Sequence, residues 1–205
     1  EISTRDWSSD VCSSDLILDH DGVVRTLLRK VPVGNMERSS LPSHIPSVVE
    51  FVESVGTNFH LSLDIKSGGA IAPLAAALTS AHFPLDQLWL CSPDELVLDE
   101  VRAELPGSNL VHSTRLAKLQ RTFEQHCARL SETGIGTVNL HHSEWNGGRV
   151  VMCHRFGLNA FGWDIQQPDT MENGVRMGLD GVYSDHVDMM VDVCTSTVGA
   201  LPLPR

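Results

Sequence analysis

The chain has 205 residues, of which 41% are hydrophobic, 20% charged and 5% aromatic, with a formal net charge of −11. That is long enough to bury a core and too apolar for disorder, yet no apolar run approaches the ~18 residues a membrane helix needs. The acidic balance excludes a general nucleic-acid binder, which needs surplus Lys and Arg against phosphate charge, although one Lys or one metal ion can still meet a small phosphorylated ligand.

Residues 1–16, EISTRDWSSDVCSSDL, repeat Ser-Ser-Asp and carry no helical or strand period. They lack the basic start and apolar core of a signal peptide and resemble translated sequencing-adapter read-through. The alternative is a genuine polar tail. A short strand is expected near Leu16–Asp19, followed by a helix over about 48–55, where Ser47 and Glu50 have capping-box spacing.

From residue 59 onward short apolar runs alternate with helical stretches. The runs Phe59–Ile65, Gln87–Cys91, Asn109–Val111, Gly136–Leu140, Asn159–Asp164 and Gly181–Tyr183 read as buried strands. Helices are expected over roughly 70–81, 93–104, 115–131, 146–156, 168–177 and 186–194. Ser92-Pro93 reads as a cap before a first-turn proline, Pro168 opens another helix, and Gly107, Gly134, Gly157 and Gly178 follow helical stretches. Successive strands begin roughly 22 to 28 residues apart, the length of a parallel crossover.

Repeated βα units leave a doubly wound open sheet or a closed (β/α)₈ TIM barrel. No strand is followed by GxGxxG or GxxxxGK[ST], so nucleotide-binding open sheets lose support. A barrel takes about 250 residues, so the expected fold is an incomplete α/β barrel, with an opening unit missing. The five cysteines (Cys12, Cys91, Cys127, Cys153, Cys194) are scattered without a CxxC pair. They read as reduced thiols of a cytoplasmic protein.

Barrel active sites lie at the C-terminal strand ends, which here carry His20-Asp21, Asp64 and Lys66, Ser92, His112, His141-His142, Asp164 and Asp185. A carboxylate suits a hard divalent cation, Lys a phosphoryl oxygen, and His a proton shuttle. Plainer readings stand beside these. Asp64 and Lys66 share one side of a strand and could be a structural ion pair. His20-Asp21-Gly22 could be a polar turn, and Trp163, Cys91 and Cys153 could be packing residues. His141 and His142 should point to opposite sides of their strand, so at most one enters the mouth.

The segments LILDHDGVVRT (16–26), IPSVVEFVE (45–53), LSLDIKSGG (61–69), FGWDIQQP (161–168) and GLDGVYSDHVD (178–188) occur in that order. Together they resemble the glycerophosphodiester phosphodiesterase family of (β/α)₈ barrels, over about residues 17–193. The resemblance implies hydrolysis of glycerophosphodiesters to glycerol 3-phosphate and an alcohol with a divalent cation, Mg²⁺ or Ca²⁺, and two catalytic histidines. It makes His20 one of those histidines, Asp64 a metal ligand (more often Glu in the family), Lys66 a phosphate contact and Trp163 a wall for the glycerol or leaving group. Gly181 to Asp185 match a mainly architectural motif.

Departures from the family pattern carry consequences. The opening His-Arg-Gly, the Pro-Glu-Asn-Thr loop and the Glu-x-Asp metal pair are absent, so the resemblance implies a (β/α)₈ barrel lacking strand 1 and most or all of strand 2. The expected organisation is thus a non-native segment at 1–16, a partial barrel domain at 17–193 and a tail at 194–205. The intact parent would be the enzyme, and this chain is expected to be inactive. A non-catalytic phosphate-binding barrel and a lyase forming a cyclic phosphate stand as alternatives. Oligomeric state is left open by the sequence.

Overall fold

The computed structural model describes residues 17–18, 23–25, 30–32, 36–41, 45–66 and 68–199. Three short strands come first: β1 (Ile17–Leu18), β2 (Val23–Arg25) and β3 (Lys30–Pro32), paired antiparallel in that order. Leu18 lies opposite Val24, and Val24 opposite Val31. The strand expected near Leu16–Asp19 therefore exists but is not a barrel strand. Only a few residues separate it from β2, whereas a parallel crossover needs a dozen or more, so the chain can only return antiparallel.

Helix α1 (Val48–Val55) starts with the capping box its sequence indicates. Ser47 Oγ accepts from Glu50 N at 3.2 Å, and Glu50 Oε2 accepts from Ser47 N at 2.7 Å, so two orphan donors of the first turn are satisfied. The βα alternation follows: β4 (Leu61–Asp64), α2 (Ile71–Ser80), β5 (Leu88–Ser92), α3 (Glu95–Glu104), β6 (Asn109–Thr114) and α4 (Phe123–Glu132). It continues with β7 (Thr137–His141), α5 (Gly147–Arg155), β8 (Asn159–Trp163), α6 (Pro168–Met177), β9 (Gly181–Val182) and α7 (Val187–Val198).

Two helix starts differ from the sequence reading. Ser92 is still paired in β5, opposite His112, so α3 begins later and its cap is Asp94, whose Oδ1 accepts from Leu96 N at 2.9 Å. The stretch 115–131 splits into a 3₁₀ turn, Leu116–Lys118, and α4, because Thr122 and Gln125 form a second capping box. At the other end of α6, Gly178 adopts φ 95°, the left-handed cap that its position after the helix suggests.

Strands β4 to β9 form one parallel sheet in strictly sequential order. A doubly wound sheet reverses strand order at a switch point; this one does not. The sheet also curls. Tyr183, just after β9, places its hydroxyl 3.0 Å from Ser62 Oγ on β4, although five strand spacings of ~4.8 Å would separate these strands by about 24 Å in a flat sheet. The fold is an incomplete (β/α) barrel.

The outer face of the sheet packs under the helices. Leu88, Leu90, Val138, Leu140 and Ala160 have no solvent exposure, nor do Leu98, Val101, Leu130 and Cys153 from the helices. Burying each large apolar side chain contributes roughly 1.5–3 kcal/mol, so this layer holds the strands whose other face carries the polar groups. Among the described residues no helix is long and apolar enough to cross a membrane.

Candidate active site

Side chains alternate across a strand, so in a curled sheet every second residue faces the interior. Counting back from the strand ends places Ser62 and Asp64 of β4, Cys91 of β5, Ser113 of β6, Asn139 of β7 and Trp163 of β8 on that side. With Asp164, Gln166, Tyr183 and Asp185 they line a cavity of about 780 Å³ at the C-terminal ends of the strands.

Asp64 and Lys66 sit at one side of this mouth, with Lys66 Nζ donating to Asp64 Oδ2 at 2.5 Å. Both side chains stay partly open, at 44% and 39% exposure, so solvent screens the pair and leaves the ammonium within reach of an anion. The shared facing of the two residues matches the spacing of two along the chain. Beside them Ser62, Cys91 and Tyr183 form a hydrogen-bonded trio: Tyr183 Oη lies 3.0 Å from Ser62 Oγ and 3.6 Å from Cys91 Sγ. Burial pushes both the Cys91 thiol and the Tyr183 phenol upward, so neither is an ionised nucleophile at neutral pH.

Deeper in, Asn139 is 4% exposed and donates from Nδ2 to Ser113 Oγ at 3.1 Å, while its Oδ1 is buried with no partner among the described residues. An unpaired buried carbonyl is costly and marks a place for a donor. Trp163 lines the wall, and its buried Nε1 likewise has no partner among the described residues. The guanidinium of Arg115 stands 4.8 Å from the Trp163 ring centre, a cation–π distance.

Across the mouth from β4 lie His141, His142 and Asp164. His141 Nε2 is 3.0 Å from Asp164 Oδ2, and its Nδ1 is 2.7 Å from Ser143 Oγ. The hydrogen bond to His141 holds the Asp164 carboxyl below its ordinary range, and burial pushes His142 down. Asp164 has φ 61°, in the left-handed region that non-glycine residues rarely occupy. Gln166 ties the neighbouring loop together, donating from Nε2 to Asp185 Oδ2 at 2.8 Å and accepting at Oε1 from Asp185 N at 3.1 Å.

The expectation that His141 and His142 diverge is overturned. Strand β7 ends at His141 and a 3₁₀ turn, His142–Glu144, begins at once. The turn breaks the twofold alternation and stacks the two rings with centroids 4.3 Å apart. His112 is also corrected: it faces outward and is buried, contacting His126 and the Pro93 carbonyl rather than the cavity. Ser92 is likewise buried, and its Oγ accepts from Asp94 N at 3.2 Å. His20 and Asp21 lie outside the described residues.

Several residues escaped the sequence reading: Asn139, Tyr183 and Gln166 in the cavity lining and Arg115 against the Trp163 ring. The first two were within reach of the alternation rule, since Asn139 is two residues before His141. Gln166 and Arg115 lie in loops, where no period applies.

A divalent cation needs converging donors. His141, His142 and Asp164 provide one such group, each offering an atom within 4.8 Å of the others. Mg²⁺ and Ca²⁺ prefer an oxygen-rich shell, and among the described residues Asp64 offers one carboxylate that already holds Lys66. The described side chains do not assemble a hard-cation site.

Several solved structures share this fold. A protein assigned as a glycerophosphoryl diester phosphodiesterase from Silicibacter pomeroyi superposes with a TM-score of 0.73 at 15% identity, covering 92% of this chain and 84% of its own. One assigned as a glycerophosphodiester phosphodiesterase from Galdieria sulphuraria gives 0.70 at 15% identity, covering 88% and 84%. A phosphodiesterase from Oleispira antarctica, in complex with the product sn-glycerol-3-phosphate, gives 0.66 at 18% identity, covering 88% and 83%. No protein-family model and no curated protein matches the sequence. The chain thus has the barrel fold of these phosphodiesterases.

Proposed function

We propose that this barrel serves the hydrolysis of glycerophosphodiesters to glycerol 3-phosphate and an alcohol. One conjunction carries the reading: a carboxylate in the lining of an open cavity with a Lys paired to it, in a fold shared with phosphodiesterases of which one holds glycerol 3-phosphate. In this reading the Lys66 ammonium meets a phosphoryl oxygen, and the Trp163 face forms a wall for glycerol or the leaving alcohol. His20 would move a proton between water and the leaving oxygen. In the family pattern Asp64 would be one ligand of a divalent cation, Mg²⁺ or Ca²⁺, which would supply Lewis-acid polarisation of the phosphate; the described side chains alone do not complete its shell.

With no His-Arg-Gly and no Glu-x-Asp pair in the sequence, one of the family's two catalytic histidines and two of its metal ligands are missing. The 205-residue chain is therefore proposed to bind the product and turn over substrate poorly or not at all. The test is phosphorus NMR of glycerophosphocholine incubated with the chain and Mg²⁺ or Ca²⁺, together with calorimetry of glycerol 3-phosphate binding. Measurable binding that Lys66→Ala weakens about tenfold, roughly the 1.4 kcal/mol of a modest charged contact, supports the site. Rapid chelator-sensitive turnover would overturn the inactivity, a cyclic phosphate product would assign a lyase, and no binding at all would sink the reading.

A further inference from the structure

We propose that His141, His142 and Asp164 form a binding site for a borderline first-row divalent cation, of the zinc or cobalt class, distinct from the Asp64–Lys66 pair. This stands on the three side chains themselves and holds whether or not the barrel hydrolyses glycerophosphodiesters.

The donors come from adjacent strand ends, where register sets His141 of β7 opposite Trp163 of β8 and so beside Asp164. Their ligand atoms lie within 4.8 Å of one another, and His141 Nε2 and Asp164 Oδ2 already stand 3.0 Å apart. Around a tetrahedral ion with ~2.1 Å bonds, neighbouring donors are about 3.4 Å apart, so small side-chain adjustments would close the set. Two imidazoles and one carboxylate favour a borderline ion over Mg²⁺ or Ca²⁺.

The surroundings hold the donors in place. The His141 ring is stacked on His142 and lies edge-on to Trp163, at 4.7 Å and 82°. Ser143 fixes the ring through Nδ1, which accepts from its backbone N at 3.3 Å and lies 2.7 Å from its Oγ, so the ring proton is on Nε2 facing Asp164. An ion at Nε2 would take the place of that proton, and the ring proton would move to Nδ1 on the Ser143 Oγ side. Asp164 keeps its left-handed backbone at φ 61° while its carboxylate reaches the histidine.

A second observation points to a ligand in the same place. Asn139, two residues before His141 on the inward side of β7, is 4% exposed, lines the same cavity as Asp164, and leaves Oδ1 without a partner among the described residues. Three protein ligands leave a position open on a tetrahedral ion, and a water or anion held there could supply the missing donor or fill the gap. Arg115, beside Trp163, opposes a cation, but Glu144 lies 3.7 Å from its guanidinium and offsets part of that charge.

The experiment is titration of the chelator-treated full chain with Zn²⁺ by calorimetry and with Co²⁺ by visible absorption, with circular dichroism to check folding. One equivalent of tight binding and intense tetrahedral Co²⁺ bands are expected, unaffected by millimolar Mg²⁺ or Ca²⁺. His142→Ala and Asp164→Asn should each weaken binding by more than the roughly tenfold that loss of an outer-shell partner costs. His154→Ala, which removes a His–Asp pair at 2.8 Å without a third donor, should leave it unchanged. No stoichiometric binding, equal loss in His154→Ala, or folded Asp164→Asn that binds Zn²⁺ as well as the parent would overturn the site.

Discussion

On the outer face of the parallel sheet, His112 and His126 are buried against each other, with Nδ1 of the first 3.1 Å from Nε2 of the second. At the sheet's C-terminal edge, His141 and His142 stack beside a carboxylate and solvent. The residue type is the same and the surroundings decide the chemistry. Pro93 O can only accept, so His112 Nε2 carries a proton and donates to it at 3.1 Å. His112 Nδ1 then accepts from His126 Nε2–H, and both rings are used up as neutral packing groups. At the mouth, each ring keeps a nitrogen that a ligand can reach, because the partners there are exchangeable. One face of the barrel is spent on stability and the other is left available for binding.

The comparison can be broken most forcefully at the outer face. Leu90→Ala should cost about 2–5 kcal/mol in urea unfolding, since this fully buried side chain cannot be replaced by water or relaxation. A loss below 1 kcal/mol would mean the layer is not close-packed. Next in size is Gly181→Ala on the inner side, where a Cβ would stand 2.7 Å from the Phe161 ring. Displacing that ring should cost roughly 1–3 kcal/mol, again read by denaturant unfolding.

Acid sharpens the same contrast. Burial depresses both outer histidines, His126 to about 4, while in the unfolded chain they titrate near 6.5. As pH falls from 6.5 toward 4 the unfolded state takes up protons that the fold refuses, so stability present above 6.5 is lost across that window. His126→Gln should flatten the limb by up to about 1.4 kcal/mol per pH unit, measured as the unfolding midpoint against pH. An unchanged slope would show that His126 is not held neutral. The smallest effect is expected at Asn139→Leu. It removes an acceptor that has no partner among the described residues and one hydrogen bond to Ser113 Oγ, so stability should shift by only about 1 kcal/mol while glycerol 3-phosphate or Zn²⁺ binding weakens. A large destabilisation would place Asn139 with the outer layer instead.

Much of the barrel was legible along the chain. The apolar runs from Leu61 to Val182 announced six parallel strands, and Gly178 and the Ser47–Glu50 box marked helix ends, because each rests on periods and caps a few residues long. The paired Asp64 and Lys66 followed from a spacing of two on a strand. The β1–β3 meander did not, since strands of two and three residues are too short to show a period. The direction of His142 was misread because a 3₁₀ turn replaced the strand one residue earlier than the pattern required.

By itself the amino-acid order determined the alternation of elements, the capped helix starts and the polar character of the strand ends, all of which are local. Curvature belongs to the tertiary structure. Only the curled sheet brings Tyr183 to Ser62, 121 residues away, and only the pairing register of neighbouring strands sets His141 against Asp164. Such meetings depend on the packing of helices against one face and the accumulated twist of the strands. No window of sequence contains those quantities, and they decide which polar residues share a site.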